Sequence, residues 1–375
     1  MVNTSAAGRF WRIPIVSTRY GSITVENIPY LLFHLIPIAA FFVPFRLELV
    51  ALAVGLYVVR MFAITGFYHR YFSHRGYRVR NRLVQFLMGF LGATALQQGP
   101  LWWARHHRHH HRHSDTERDI HSPKHTGFWF SHTLWFMMLN QREEFQDHDH
   151  SKPVDLAKFP ELVWLDRYYI LPPVLVGVLL YVLGGMPYLV WGGISTIALW
   201  HGTFTINSLS HLLGRQRFET GDTSKNNFWL ALITLGEGWH NNHHAFAGGA
   251  KAGFYWYEVD ITYYGLWCMS KLGLISDLGA PPRALLERGR ENDRLRREAR
   301  RVVRAEIVRK LSASELGILL EAANGFVERK VLSRLNLSEV RHLVERYQQA
   351  LERNVFERNV FERNVFERGA SAQSA

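Results

Sequence analysis

The sequence predicts an all-α integral membrane protein whose four transmembrane helices form two hairpins. Two charge-free stretches and the composition predict it. No Asp, Glu, Lys or Arg lies between Glu26 and Arg46, and 47 consecutive residues between Arg167 and Arg215 also lack them. Apolar residues make up 47% of the 375-residue chain, with 12 Trp and 24 Phe. Mean hydropathy nevertheless stays at −0.11, as expected when membrane spans are joined to strongly polar segments. The net charge of +12 suits anionic lipid or acidic partner proteins, and no nucleic-acid partner is expected. The one cysteine, Cys268, excludes a disulfide framework or a cysteine-ligated cluster and reads as an inert apolar filler.

Residues 1–28 have no apolar core of a signal peptide and read as a cytoplasmic N-terminal segment. "IPYLLFHLIPIAAFFVPF" then fits one span, which needs about 20 apolar residues. After a tight turn near Pro44, "LELVALAVGLYVVRMFAITGFYHR" forms the second, and its Arg60 is expected to face the protein interior or to snorkel. "LVQFLMGFLGATAL" (Leu83–Leu96) is too short to cross and reads as an interfacial or re-entrant helix. The 47-residue stretch would extend about 70 Å as one helix, more than twice a ~30 Å hydrocarbon core. It must fold back, and "LGGMPY" (Leu183–Tyr188) supplies the Gly and Pro for the reversal.

Orientation follows from the flanking arginines. Arg9, Arg12 and Arg19 precede the first span, and Arg70, Arg75, Arg78, Arg80 and Arg82 follow the second. Positive-inside bias then puts both termini and the 69–167 loop in the cytoplasm. The membrane domain is expected over 29–280. Residues 281–375 are Arg-rich, helix-favouring, and end in a threefold "NVFER" repeat (Asn354–Arg368); they read as a basic helical or partly disordered appendage.

Histidines concentrate at the predicted cytoplasmic ends of the spans. "HRYFSH" gives His69 and His74, "NSLSH" gives Asn207 and His211, and "WHNNHH" gives His240, His243 and His244. "ARHHRHHHRHSD" (Ala104–Asp115) is denser. It satisfies H-x-x-H-H in two frames, His106, His109 and His110 or His107, His110 and His111, and spacing alone does not choose between them. The i, i+3, i+4 pattern puts three imidazoles on one helix face. Each frame gives nine imidazoles in all, too many for one ion and suited to two, at four or five nitrogens each. Imidazole suits iron, zinc or copper, but a structural or hydrolytic zinc would not require so many nitrogens. Trp102, Trp103, Trp200 and Trp239 beside the boxes read either as interfacial belt residues or as the lining of a substrate tunnel.

The set "HRYFSH", "HRHHHRHSD", "DIHSP", "NSLSH" and "GEGWHNNHH" resembles the membrane fatty acyl desaturases, particularly the acyl-CoA delta-9 (stearoyl-CoA type) branch in its bacterial form, over roughly Pro29 to Leu278. "TGDTSKNN" (Thr220–Asn227) looks like the segment before that family's last box. The resemblance implies a cytoplasmic helical cap holding two iron ions. Their ligands would be His69, His74, His107, His110, His111, His211, His240, His243 and His244, with Asn207 in contact through water. It also selects the register, because the family pattern H-R-x-H-H-R-x-S-D fits only with Arg108 after the first ligand and with Arg112, Ser114 and Asp115 after the last.

The implied reaction uses O2 and two electrons to introduce a cis double bond, by resemblance at delta-9, into a saturated acyl chain, with acyl-CoA as the expected substrate. Elementary chemistry agrees with the need. A methylene hydrogen has no useful acidity, so acid–base or nucleophilic catalysis cannot start the reaction, and the protein's task is to hold the chain and exclude water. With no nucleotide loop, cysteine cluster or H-P-G-G haem signature, the electrons are expected from a separate ferredoxin, rubredoxin or cytochrome b5-type donor and its reductase. A di-iron hydroxylase or alkane monooxygenase is the neighbouring alternative. A non-redox metal-binding or transport protein is the alternative of another class, although transport would favour ligands at mid-membrane depth.

Overall fold

A computed structural model describes residues 13–138 and 153–311 (backbone alone for 302–311), and beyond these only His342, Glu345 and Gln349. The Asn354–Arg368 repeat lies outside the described residues. The chain divides into two compact units, residues 1–216 with 220–281, and residues 217–219 with 282–375.

The first unit is mostly helical, but it opens with a two-stranded antiparallel ribbon, β1 (Pro14–Thr18) and β2 (Gly21–Thr24), that the all-α expectation missed. β-branched residues in "PIVST" and "GSIT" favour the strands, and Gly21 takes the positive φ of 139° that the tight turn requires.

Among the described residues, three helical segments are long and apolar enough to cross a membrane: α1 (Val25–Phe42), α2 (Leu47–Ser73) and α6 (Leu171–Leu212). α1 is a succession of short helical turns, not one continuous helix, and Pro29 and Pro37 each start a new piece. Proline lacks the amide donor that would carry a helix onward. α2 is α-helical to Phe62 and then widens into eleven residues of π-helix, Ala63–Ser73. Arg60 faces the interior, where its guanidinium donates to Thr196 Oγ1 (2.6 Å), Ser195 Oγ (2.8 Å) and Leu56 O (3.1 Å). α6 is broken at Gly185 (φ 66°, ψ −154°), just ahead of Pro187. Its halves pack on each other, since a Cβ on Gly192 would lie 2.5 Å from Leu180 Cδ1. Twelve residues of straight helix would separate those positions by about 18 Å.

The other helices of this unit are shorter. α3 (Arg82–Ala93) is amphipathic, with Leu83, Leu87 and Leu91 exposed on one side and Gln85, Met88, Gly89 and Gly92 buried on the other. α4 (Pro100–His113) starts where Asp166 Oδ1 accepts from Leu101 N and Trp102 N, carrying a carboxylate to the positive end of the helix. That aspartate belongs to α5 (Pro160–Arg167). Asn227 caps α7 (Phe228–Ile233), and α8 (His240–Ala245) and α9 (Ile261–Lys271) follow it in the chain. Cys268 is exposed on α9, which corrects its reading as core filler: it falls on the helix side away from buried Thr262 and Leu266.

The second unit carries the 29-residue α10 (Arg283–Leu311). Within it, buried Arg217 pairs with Asp293 (3.1 Å) and accepts at its carbonyl from Asn292 Nδ2 (3.0 Å).

Candidate metal centre

Four short stretches of backbone bring the nine expected imidazoles together in two groups. His69, His74, His107, His111 and His243 form one, and His110, His211, His240 and His244 the other; within each group the candidate donor atoms lie within 4.8 Å of one another. Both H-x-x-H-H boxes straddle the pair. α4 gives His107 and His111 to the first group and His110 to the second, while α8 gives His243 to the first and His240 and His244 to the second. The groups touch where the His111 and His244 rings stack at 4.4 Å.

The π-helical end of α2 explains "HRYFSH". Residues five apart sit about 140° from each other on an α-helix, which would aim His69 and His74 in different directions. In the wider turn His74 N donates to His69 O (3.3 Å), and the two rings lie 5.0 Å apart. The other frame of the dense box points elsewhere. His106 Nδ1 contacts Trp102 O (2.6 Å), and His109 Nε2 contacts Arg118 O (2.9 Å).

Between imidazoles the Nε2 atoms meet at 2.9 Å (His69–His243), 2.8 Å (His74–His107), 3.0 Å (His111–His243) and 3.1 Å (His211–His240). His110 Nε2 and His244 Nε2 are buried without a hydrogen-bond partner. Two nitrogens bound at about 2.1 Å and 90° to one ion are about 3.0 Å apart, whereas a tetrahedral angle separates them by about 3.4 Å. The short spacings fit nitrogens that share an ion, and five and four donors per group exceed or match what one four-coordinate ion takes.

Four carboxylates fix the opposite ring nitrogens, and the sequence reading had not singled them out. His69 Nδ1 meets Glu237 Oε2 at 2.7 Å, His110 Nδ1 meets Asp119 Oδ1 at 3.0 Å, His211 Nδ1 meets Asp115 Oδ2 at 3.1 Å, and His244 Nδ1 meets Asp222 Oδ2 at 2.7 Å. A carboxylate on Nδ1 holds the proton there and turns the Nε2 lone pair inward, the arrangement a metal requires. Burial pushes His74, His107, His111, His240 and His243 well below the ordinary histidine range, and neighbouring imidazoles add to the effect. Burial likewise lowers His244 to about 4 despite Asp222. At His110 burial is outweighed by Asp119, which raises it. Burial opposes charge on Glu237 too, yet His69 and Arg70 hold that carboxyl down at about 2. His74, His107, His111, His240, His243 and His244, held neutral largely by burial, together with the ionised Glu237, suit a cation.

A cavity of about 470 Å³, within the usual range for ligand sites, reaches His69, His107, Asn207 and Glu237. Trp102, Trp103 and Trp200 line it, and Trp200 is fixed by its indole N–H on Ala95 O (3.0 Å). Trp239 is not in the lining; its indole N–H donates to Val259 O (2.8 Å) and its ring packs with Ala231 and Ala252.

Comparison with known proteins gives this site a family. The profile of the family described as "Fatty acid desaturase" matches residues 47–266. The chain belongs to the fatty acid desaturase family. It is 38% identical over 281 residues, 74% of each chain, to the chloroplastic palmitoyl-monogalactosyldiacylglycerol delta-7 desaturase of Arabidopsis thaliana. It is 40% identical over 219 residues (57% of this chain, 75% of the relative) to the sn-2 palmitoyl-lipid 9-desaturase of Nostoc sp.. It is 38% identical over 222 residues (59% and 62%) to the icosanoyl-CoA 5-desaturase of Limnanthes douglasii. The protein is thus a desaturase, an oxidoreductase of lipid metabolism, with helices suited to a membrane.

Proposed function

We propose that this desaturase inserts a cis double bond at carbon 9 of a saturated acyl chain, using O2 and two electrons at a pair of irons. The meeting of Nε2 atoms at 2.8–3.1 Å within the two histidine groups carries this reading. His69, His74, His107, His111 and His243 would hold one iron. His110, His211, His240 and His244 would hold the other, with Asn207, one helical turn before His211, in contact through water. The irons, when bound, supply the oxidising chemistry that removes two hydrogens from adjacent methylenes. Everything else falls to the chain's own residues. The aromatic cavity, which reaches His69 and His107 of the five-imidazole group, would hold the acyl chain and keep water away from the reacting carbons, so position follows from where the chain is held. Carbon 9 is supported by the 9-desaturase relative, although other relatives carry the numbers 5 and 7 in their names.

The break at Gly185 supports four spans in two hairpins, and the flanking arginines support a cytoplasmic cap with both termini on that side. The same basic face suits a separate acidic ferredoxin-, rubredoxin- or cytochrome b5-type donor. Cells expressing the full chain should gain cis-9 unsaturated chains relative to a control, and a reporter fused within the 139–152 segment should read cytoplasm. Hydroxylated chains in place of unsaturated ones, or an external reporter, would overturn the respective parts.

A further inference from the structure

Carboxylates are unevenly shared between the two histidine groups. In the four-imidazole group, three of the four rings have one on Nδ1: His110 has Asp119, His211 has Asp115 and His244 has Asp222. In the five-imidazole group, among the described residues, His69 alone has one, Glu237.

The surroundings of these carboxylates widen the difference. Asp115 accepts from Thr223 N and Oγ1 (2.6 Å each) and from Ser122 Oγ (2.5 Å). Asp222 accepts from Thr220 Oγ1 (2.7 Å) and Ser224 N (2.9 Å). Neutral donors of this kind orient a carboxylate without cancelling its charge. Lys225, which feels the charge of Asp115, spends its Nζ on Leu212 O (2.9 Å).

Glu237 instead faces a guanidinium. Arg70 Nη2 and Nε donate to Glu237 Oε1 (2.9 and 3.1 Å), and Nη1 reaches Asp260 Oδ2 (3.0 Å). A second cation, Arg108, acts on His74 of the same group, and its guanidinium is held by Asp155 Oδ1 (2.8 Å) and Ser73 O (2.8 Å). Three carboxylates thus stand behind four rings, and one, bound to arginine, behind five. A carboxylate on Nδ1 makes the ring a more basic ligand, and net negative charge around a metal favours its higher oxidation state.

We propose that Asp115, Asp119 and Asp222 set the four-imidazole group at the lower potential, so that the first electron from the external donor settles in the five-imidazole group. The inference rests on the di-iron reading of the site. Each step moves one electron: the donor is oxidised by one and a single ferric ion becomes ferrous. The second electron then enters the four-imidazole group. The three aspartates are positioning residues, since their effect reaches the ion through His211, His110 and His244.

The test loads the full chain with Mössbauer-active iron and titrates it with dithionite and redox mediators, with no turnover involved. The natural protein should show two one-electron steps at least about tenfold apart in equilibrium constant, which is about 59 mV. Asp222→Asn should raise the lower step by about that amount and move the upper step much less, and Asp222→Glu should restore it. Glu237→Gln should raise the upper step instead. A role in folding alone would move neither step selectively. If Asp222→Asn does not retain iron, Asp119→Asn reads the same step through His110. A single two-electron step in the natural protein, or an Asp222→Asn effect confined to the upper step, overturns the assignment while two bound irons still support the desaturase reading. A chain that takes up no iron overturns that reading, and this inference with it.

Discussion

His107→Ala, His110→Ala and His111→Ala are each expected to reduce turnover to background and to cost the protein bound iron, while His106→Ala and His109→Ala keep both in large part. These five residues share one stretch of α4, and the two frames differ by one step of about 100° around the helix. His107 and His111 point into the five-imidazole group and His110 into the four-imidazole group. His106 rests against Trp102 with ring centres 4.0 Å apart, and His109 turns to the Arg118 carbonyl. Losing His106 costs packing and a hydrogen bond, on the order of 1–3 kcal/mol, without touching either group. Metal analysis of the five variants against activity checks the pattern. Full iron in His107→Ala, or its complete loss in His109→Ala, would put the ligands in the other frame.

The second large effect concerns the carboxylates behind the imidazoles. Asp115→Asn and Asp222→Asn should weaken one iron, and Glu237→Gln the other, each by about 10- to 100-fold in affinity. Asp115 is the most informative, since it sits in the left-handed region (φ 55°), which asparagine also tolerates. The substitution thus removes charge with little backbone penalty. The carboxylate accepts from Thr223 N (2.6 Å) and Ser122 Oγ (2.5 Å) besides facing His211 Nδ1, so its orientation is over-determined. Iron retained per chain after graded chelation distinguishes the outcomes. Retention equal to the natural protein in all three variants would mean the carboxylates serve folding alone.

Much of this was legible in the sequence for physical reasons. Charge-free runs disclosed α1 and α6, an apolar run interrupted by Arg60 disclosed α2, and the Gly–Pro punctuation at Gly185 disclosed the break in α6. The i, i+3, i+4 boxes were legible because a helix converts that spacing directly into a shared face. The i, i+5 pair His69 and His74 was expected as a pair of ligands, but how it converges was not legible, since nothing local announces a π-helix and on an α-helix the pair would diverge. The carboxylates were hidden for a different reason. Asp115 meets His211 across 96 positions and Glu237 meets His69 across 168, so single acids in polar loops gain meaning only from the tertiary fold. "HRHSD" and "GEGWH" held the available signals, an acid within a few residues of each box. Trp239 illustrates the converse error, in which closeness to a box in sequence suggested a tunnel wall that its own hydrogen bond to Val259 directs elsewhere.

The proposed function stands on a pair of redox-active irons held by nine imidazoles beside an acyl cavity. Metal analysis of the freshly purified full chain, made on the same sample as a turnover assay with and without dioxygen, decides whether that pair exists. About two irons per chain, with oxygen-dependent loss of the saturated chain, is the predicted result. Redox-silent zinc with no consumption of substrate would contradict it.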